Sequence, residues 1–220
     1  MNNSDSRELK IMIIGSSGAG KTSFVQRWTK GEFSNDYKAT IISDFGFKIY
    51  NYKDSLYRIQ LWDIGGQDKS ASMAKIFARD SHGCIVVTDV TINETPGEIF
   101  KWKEIISEES AFIDNEKIPF VLIGNKIDLI KNEEDKNKIE EKVKEISKNY
   151  GFLNYYLTSA KEGINVDESM KYLLEYIIEK MVNFCNESGL EFGQKRKDSV
   201  RLKDVRKPIR KSFAYNRVRV

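Results

Sequence analysis

The segment Gly15-Ser16-Ser17-Gly18-Ala19-Gly20-Lys21-Thr22-Ser23 lies between the apolar run Ile11-Met12-Ile13-Ile14 and Phe24-Val25-Gln26-Arg27-Trp28. It is a G-x-x-x-x-G-K-[ST] loop set between a short buried strand and the start of a helix. A triphosphate is held best by several backbone N–H groups at once, and glycines let the main chain close around it without Cβ clashes. Ser17, Gly18, Ala19, Gly20, Lys21, Thr22 and Ser23 are the candidate phosphate ligands. The helix N-terminus adds positive potential, Lys21 can reach the β- and γ-phosphates, and Thr22 offers a hydroxyl to Mg²⁺. An ordinary glycine turn between strand and helix is the bland alternative.

The base is addressed by Asn125-Lys126-Ile127-Asp128, after a second apolar run, Phe120-Val121-Leu122-Ile123-Gly124. The Asp128 carboxylate can accept parallel hydrogen bonds from the N1–H and 2-amino groups of guanine. Adenine lacks that pair of donors, and a buried unpaired acceptor costs ~1–3 kcal/mol or more. Ser159, Ala160 and Lys161 follow the run Asn154-Tyr155-Tyr156-Leu157, and their backbone can cradle the guanine oxygen. Asn-Lys-x-Asp alone also suits a polar loop ending a strand. Three such loops in order, each after an apolar strand, favour a guanine nucleotide, GTP or GDP.

Between these loops lies Leu61-Trp62-Asp63-Ile64-Gly65-Gly66-Gln67. In a phosphoryl-transfer site Asp63 would hold Mg²⁺ through a water, Gly66 would give its N–H to the γ-phosphate, and Gln67 would orient the attacking water. Thr40 can complete Mg²⁺ coordination when a γ-phosphate is present, and Phe33 is placed to stack on the base.

With these residues in view, residues 8–182 resemble the Rab family within the Ras-like small GTPases. Gly15–Thr22, Thr40, Asp63–Gln67, Asn125–Asp128 and Ser159–Lys161 match its five motifs. Ala39-Thr40-Ile41, Asp44-Phe45, Trp62 and His82-Gly83 look like Rab rather than Ras or Rho. Trp62-Asp63-Ile64, Lys101-Trp102-Lys103 and Gly163–Glu168 resemble the branch that serves lysosome-related organelles. The resemblance implies a P-loop NTPase fold, slow GTP hydrolysis, vesicle or organelle traffic, and as partners effector proteins, an exchange factor and a GTPase-activating protein. It also implies an effector-facing set of Ile41, Phe45, Trp62 and Phe77. The sequence departs from the family at Ile42-Ser43 in place of Gly-Val, at Gly65 in place of Ala, at Asp68–Ser72, and at Phe77 where Tyr is common.

The elements that must position these residues alternate β and α. Strands are expected near 8–14, 45–51, 56–62, 83–88, 118–124 and 154–158, and helices near 21–30, 69–79, 97–108, 136–149 and 166–184. The fold class is thus α/β, a six-stranded, mostly parallel sheet flanked by helices. Ile139, Val143, Ile146 and Tyr150 keep helical spacing, with Gly151 as a stop. Met170, Leu173, Leu174, Ile177, Ile178 and Met181 form a second stripe, with Asn165 expected as its cap and Glu168 completing a capping box. Both stripes read as core. Phosphate, Mg²⁺ and guanine sites would then gather at the carboxyl edge of the sheet.

Composition bounds the alternatives. The 220 residues are 40 % hydrophobic and 11 % aromatic, enough for one core. No apolar run reaches the ~18 residues of a membrane span, and the start Met1-Asn2-Asn3-Ser4-Asp5 shows neither a signal core nor a myristoylation glycine. Two cysteines, Cys84 in an apolar run and Cys185 near a helix end, suggest a reduced, cytosolic compartment without disulfides. His82 is the sole histidine and reads as structural. Two competing functions are a nucleotide-binding scaffold with little hydrolysis, motivated by Gly65 and Ile42, and a nucleotide kinase, disfavoured by Asn125–Asp128 and the lack of an arginine-rich lid.

Residues 1–185 are expected to form the GTPase domain and 186–220 a basic, disordered tail. Residues 195–220 hold eleven Lys or Arg against Asp198 and Asp204, a net +9 in a chain of net +3, which leaves −6 on residues 1–194. Such a tail attracts anionic lipid at ~1 kcal/mol per basic residue. A solvated linker is the bland alternative, and nucleic acid is disfavoured because Phe213 and Tyr215 alone supply aromatics there. The sequence closes at Asn216–Val220 without a prenylatable cysteine, so attachment to endomembranes is expected to be peripheral and electrostatic. Co-sedimentation with anionic vesicles should be lost at high salt, where screening shortens below ~8 Å, and on deletion of residues 195–220. Binding that survives both would contradict an electrostatic tail.

Overall fold

In β1, Arg7–Ile14, alternate residues face opposite sides: Leu9, Ile11 and Ile13 enter one apolar cluster, Met12 and Ile14 the other. A strand buried on both faces reads as a continuous apolar run, and this one lies at the centre of the sheet. The computed structural model describes residues 7–36, 40, 43–66, 74–92, 94–110, 112–113 and 116–189. Ile41, Ile42, Gln67, Asp68, residues 69–73 of the expected second helix and the tail from 190 lie outside the described residues.

The elements are α1 (Lys21–Lys30), β2 (Ser43–Tyr52), β3 (Ser55–Ile64), β4 (Gly83–Asp89), α2 (Pro96–Ser107), β5 (Phe120–Asn125), α3 (Glu133–Asn149), β6 (Asn154–Thr158) and α4 (Val166–Ser188), with 74–77 also helical. The six strands take the order β2-β3-β1-β4-β5-β6, and only β2 against β3 is antiparallel. The α/β architecture expected from the sequence is therefore present. Lys53 and Asp54, with φ 46° and 61°, close the β2–β3 hairpin by the doubly left-handed turn that suits strand twist.

One face of the sheet is covered by α1 and α4, through Phe24, Trp28, Leu173, Leu174, Ile177 and Ile178. The other is covered by α2, α3 and the turn at 74–78, through Ala74, Ala78, Ile99, Trp102, Ile106, Val143 and Ile146. Both stripes are core. Cys84 is fully buried and His82 pairs with β1 through Lys10, its Nδ1 accepting from the Lys10 N–H at 3.0 Å. Lys103 of α2 donates to the carbonyls of Tyr150 and Gly151, which fastens α2 to the end of α3.

The helix ends depart from expectation in more than one place, and α4 runs on to Ser188, past the expected 184 and into the first residues assigned to the tail. Gly151 does stop α3: its N–H reaches Lys148 O and the Phe152 N–H reaches Ser147 O, a Schellman pair. Asn165, however, does not cap α4. It sits at φ 54° and its side-chain amide donates to Leu157 O at 2.8 Å, so the side chain is spent on tying α4 to β6. The capping box belongs instead to α2, between Thr95 and Glu98, with Pro96 in the first turn. Asn132 caps α3, accepting from the Glu134 N–H, which starts that helix three residues before the expected 136.

Leu173 is fully buried against β-strand side chains of the α1–α4 face. Leu173→Ala should lower unfolding stability by ~2–5 kcal/mol, measured by denaturant unfolding at saturating nucleotide for both proteins. A loss below ~0.5 kcal/mol would show that this face is not close-packed.

Candidate functional site

The carboxyl ends of β1, β3, β4, β5 and β6 fall on one edge of the sheet, and their following loops carry the expected site residues. The loop after β1 wraps back on Lys21. Lys21 is 5 % exposed, and its Nζ donates to Gly15 O at 2.8 Å and to Ser16 O at 2.7 Å. Burial lowers its pKa to about 8, against the opposing pull of Asp63 and Glu94. Ser17 and Gly18 are exposed at the loop's crest, while Ala19 is buried beneath it. Gly20 takes φ 92°, and a Cβ there would lie 2.3 Å from the Asn125 amide, so the loop tolerates no side chain at that point. Ser23 lies in the first turn of α1, partly buried.

Beside Lys21, three oxygens converge from separate segments. The Thr22 hydroxyl donates to Asp63 Oδ2 at 2.5 Å and lies 2.9 Å from the Thr40 hydroxyl. The other oxygen of Asp63 is buried with no partner among the described residues. Burial raises the Asp63 pKa to about 6, offset in part by the Thr22 hydrogen bond and by Lys21. An orphaned carboxylate oxygen amid hydroxyl oxygens fits Mg²⁺, which takes oxygen ligands and is commonly held by one or two carboxylates with substrate phosphates and waters. Among the described residues no group of three or more His, Cys, Asp or Glu is placed to hold a metal ion. Gly66 lies against this loop: a Cβ would stand 2.3 Å from Ser17 N and 2.4 Å from Ser16 C, so only glycine allows this approach.

Asn125 joins the phosphate half to the base half. Its Nδ2 donates to Ala19 O at 2.9 Å, and its Oδ1 accepts from the Thr158 hydroxyl and the Ala160 N–H, each at 3.1 Å. Lys126 adopts φ 70°, and its Nζ meets Asp89 Oδ2 at 2.6 Å. The same Asp89 accepts from the Thr91 N–H and hydroxyl, and its pKa is held down by these partners despite its burial. Asp128 sits on a short 3₁₀ turn, Ile127–Leu129, accepting from the Ser159 hydroxyl at 2.6 Å. Ser159 also accepts from the Glu162 N–H, and Lys161 is exposed at the rim. Phe33 is partly buried just beyond α1.

The aromatic set is assembled as well. Phe45 meets Trp62 edge-on at 5.6 Å between centroids, and Trp62 meets Phe77 at 5.1 Å. The structure thus brings together Ser17–Ser23, Thr40, Asp63, Gly66, Asn125, Lys126, Asp128 and Ser159–Lys161 at one edge, with Phe45, Trp62 and Phe77 around the end of β3. Gln67 and Ile41 lie outside the described residues.

Three contributors escaped the sequence. Asp89 ends an apolar strand at the same sheet edge, a position that topology would have flagged. Glu94 accepts from the hydroxyls of Ser16 and Thr88, joining the loop before α2 to the phosphate loop. Arg27, in the last turn of α1, donates to the carbonyls of Ala160, Lys161 and Gly31.

Comparison with known proteins agrees with this geometry. Residues 10–179 match the family model described as Ras family. The chain is similar to the human Ras-related protein Rab-32, 35 % identical over 181 residues covering 82 % of this chain and 79 % of that protein. It is 35 % identical to the mouse Ras-related protein Rab-7L1 over 185 residues, 84 % of this chain and 87 % of the other. Ras-related protein Rab7 of Prunus armeniaca is 37 % identical over 163 residues, 74 % and 78 % of the two chains.

Asn125→Ala would leave Ala19 O, the Thr158 hydroxyl and the Ala160 N–H without their shared partner, at ~1–3 kcal/mol for each buried group left unpaired. Dissociation of fluorescent GDP should accelerate at least ~10-fold, read by stopped-flow displacement. An unchanged rate would show that the two halves hold nucleotide independently.

Proposed function

We propose that this chain, which belongs to the Ras family of small GTPases and is of Rab type, is a GTP-hydrolysing switch that regulates vesicle or organelle membrane traffic. The observation that carries this reading is the meeting of Thr22, Thr40 and Asp63 beside the Lys21 loop. Lys21 and the N–H groups of Ser17–Ser23 bind the phosphates. Thr22, Thr40 and Asp63 would hold Mg²⁺, Asp63 through a water, and the ion would supply charge neutralisation to the phosphates. Asp128 reads the N1–H and 2-amino edge of guanine, the backbone of Ser159–Lys161 reads its oxygen, and Phe33 covers its face.

Two segments respond to the γ-phosphate. The Thr40 hydroxyl stands 2.9 Å from the Thr22 hydroxyl at the candidate metal site, and Gly66 lies against the phosphate loop, where its N–H can meet the terminal phosphate. Both release when that phosphate leaves, and effectors distinguish the two forms at Ile41, Phe45, Trp62 and Phe77. Gln67 orients the attacking water. Between Thr40 and Asp68 the sole arginine is Arg58, and it lies over Phe47 beside Glu8. A GTPase-activating protein therefore supplies the arginine, a contribution worth ~10³–10⁵ in rate, and hydrolysis without it is slow. An exchange factor reloads GTP. Residues 1–185 carry this cycle, and the basic tail gives reversible, peripheral contact with anionic endomembranes. Among the described residues, no helix is long and apolar enough to cross a membrane.

The test combines nucleotide binding with single-turnover hydrolysis. GTP and GDP should bind with Mg²⁺ at least ~10²-fold more tightly than ATP, because Asp128 is left unpaired by adenine. Gln67→Leu should slow single-turnover hydrolysis by ~10² or more, the scale of a positioned catalytic side chain. Equal affinity for ATP would overturn the guanine assignment. Tight GTP binding with no hydrolysis in the parent would favour a nucleotide-binding scaffold instead.

A further inference from the structure

Arg27 carries no role in the reading above, yet its guanidinium makes three hydrogen bonds to backbone carbonyls from two parts of the chain. Nε donates to Ala160 O at 2.8 Å, Nη2 to Lys161 O at 2.5 Å, and Nη1 to Gly31 O at 2.7 Å. Its Cδ stands 3.8 Å from where a Cβ of Gly163 would be, so the aliphatic stem lies alongside the same loop. The side chain spans 133 residues of sequence to reach Ala160.

We infer that Arg27 is the positioning residue for the guanine-oxygen contact, holding the Ala160–Lys161 peptide so that its N–H faces the base. The inference rests on the guanine reading of this site. The physical argument is the planarity of the peptide unit. In a trans peptide the C=O and the following N–H point in opposite directions, so fixing Ala160 O on Arg27 aims the Lys161 N–H away from α1. Holding Lys161 O as well fixes the next peptide plane. Two carbonyls gripped by one rigid planar fork leave the segment little rotational freedom, which a single lysine ammonium cannot reproduce.

The third bond gives this grip its second anchor. Gly31 closes α1, its own N–H bonded to Arg27 O at 2.9 Å, and α1 begins at Lys21 and Thr22. Arg27 therefore references the base loop to the helix whose first turn holds phosphate and metal. Asn125 makes a separate link from Ala19 O to the Ala160 N–H. The base loop is thus held from its N–H side by Asn125 and from its carbonyl side by Arg27.

The test compares GDP with 6-thio-GDP, whose sulfur is a weaker acceptor at the position that the loop reads, in the full-length parent, Arg27→Met and Arg27→Lys. Dissociation rates are measured by displacement with excess GDP, beside the thermal midpoint of each nucleotide-saturated protein. In the parent, replacing oxygen by sulfur should speed dissociation. Arg27→Met should speed GDP release by about 10-fold and shrink the oxygen-to-sulfur ratio toward unity, because the N–H is no longer aimed at that atom. Arg27→Lys should recover part of the GDP rate and little of the ratio. A shift in thermal midpoint and GDP rate with the ratio unchanged would mean that Arg27 only stiffens the fold, and would overturn the inference. Should Arg27→Met not yield folded protein, Arg27→Lys carries the same two outcomes. A parent that does not bind GDP would instead overturn the guanine reading itself, a result visible before any variant is made.

Discussion

Asn125 is the interaction on which the arrangement of this site depends. One buried side chain contacts the phosphate loop at Ala19, the end of β6 at Thr158 and the base loop at Ala160. Its amide donor and its carbonyl acceptor face opposite halves of the site, and no other side chain of this size offers both functions in one plane. The parallel sheet makes that economy available. Strands running the same way end at the same edge, so loops 106 residues apart in sequence come within one hydrogen bond of each other. The tight approach at Gly20 follows, since a methyl group there would occupy the place of the Asn125 amide.

Around this hub two buried groups of opposite charge are both disfavoured in their charged forms by desolvation. Lys21 is buried and its pKa is drawn down to about 8, while Asp63 is buried and its pKa is drawn up to about 6. Each is disfavoured in its charged form chiefly by desolvation, and each stays charged more readily when an opposite charge arrives. Phosphate oxygens answer Lys21 and a divalent cation answers Asp63. A nucleotide with its metal would relieve both at once.

Much of this was legible in sequence because the chemistry is local. The phosphate loop, Asn125–Asp128 and Ser159–Lys161 are short runs at the ends of apolar strands, and strand and helix patterns placed them on one sheet edge. What escaped depends on contacts through space. Arg27 and Glu94 look like ordinary surface charges in sequence and Asp89 only like the polar end of an apolar run, and the folded chain brings them to Ala160, Ser16 and Lys126. The Asn165 cap failed for a related reason. A side chain able to cap a helix N-terminus can equally satisfy a strand carbonyl nearby, and Leu157 O lies within its reach. Thr95 and Pro96, by contrast, obey local rules, and their capping box was present in the sequence as Thr-x-x-Glu.

Strand alternation also explains how a nucleotide can be sensed on a distant face. Trp62 and Asp63 are neighbours on β3, so their side chains point to opposite sides of the sheet. Asp63 meets the Thr22 hydroxyl at the candidate metal site, and Trp62 packs between Phe45 and Phe77. Register reinforces the link: Phe45 pairs with Trp62, and Asp44 with Asp63. In the proposed switch, a shift of β3 at Asp63 would be passed to the aromatic cluster, because one backbone carries both. Beyond the cluster, Phe47 and Ile49 extend the same exposed face of β2, each about half exposed, at 56 % and 53 %. The opposite face of that strand is held by Lys48 on Trp28 O and by Tyr50 and Tyr52 on Glu175 and Glu179 of α4. The hairpin is thus anchored along its inner face, which leaves its outer aromatic face exposed beside the proposed effector contact.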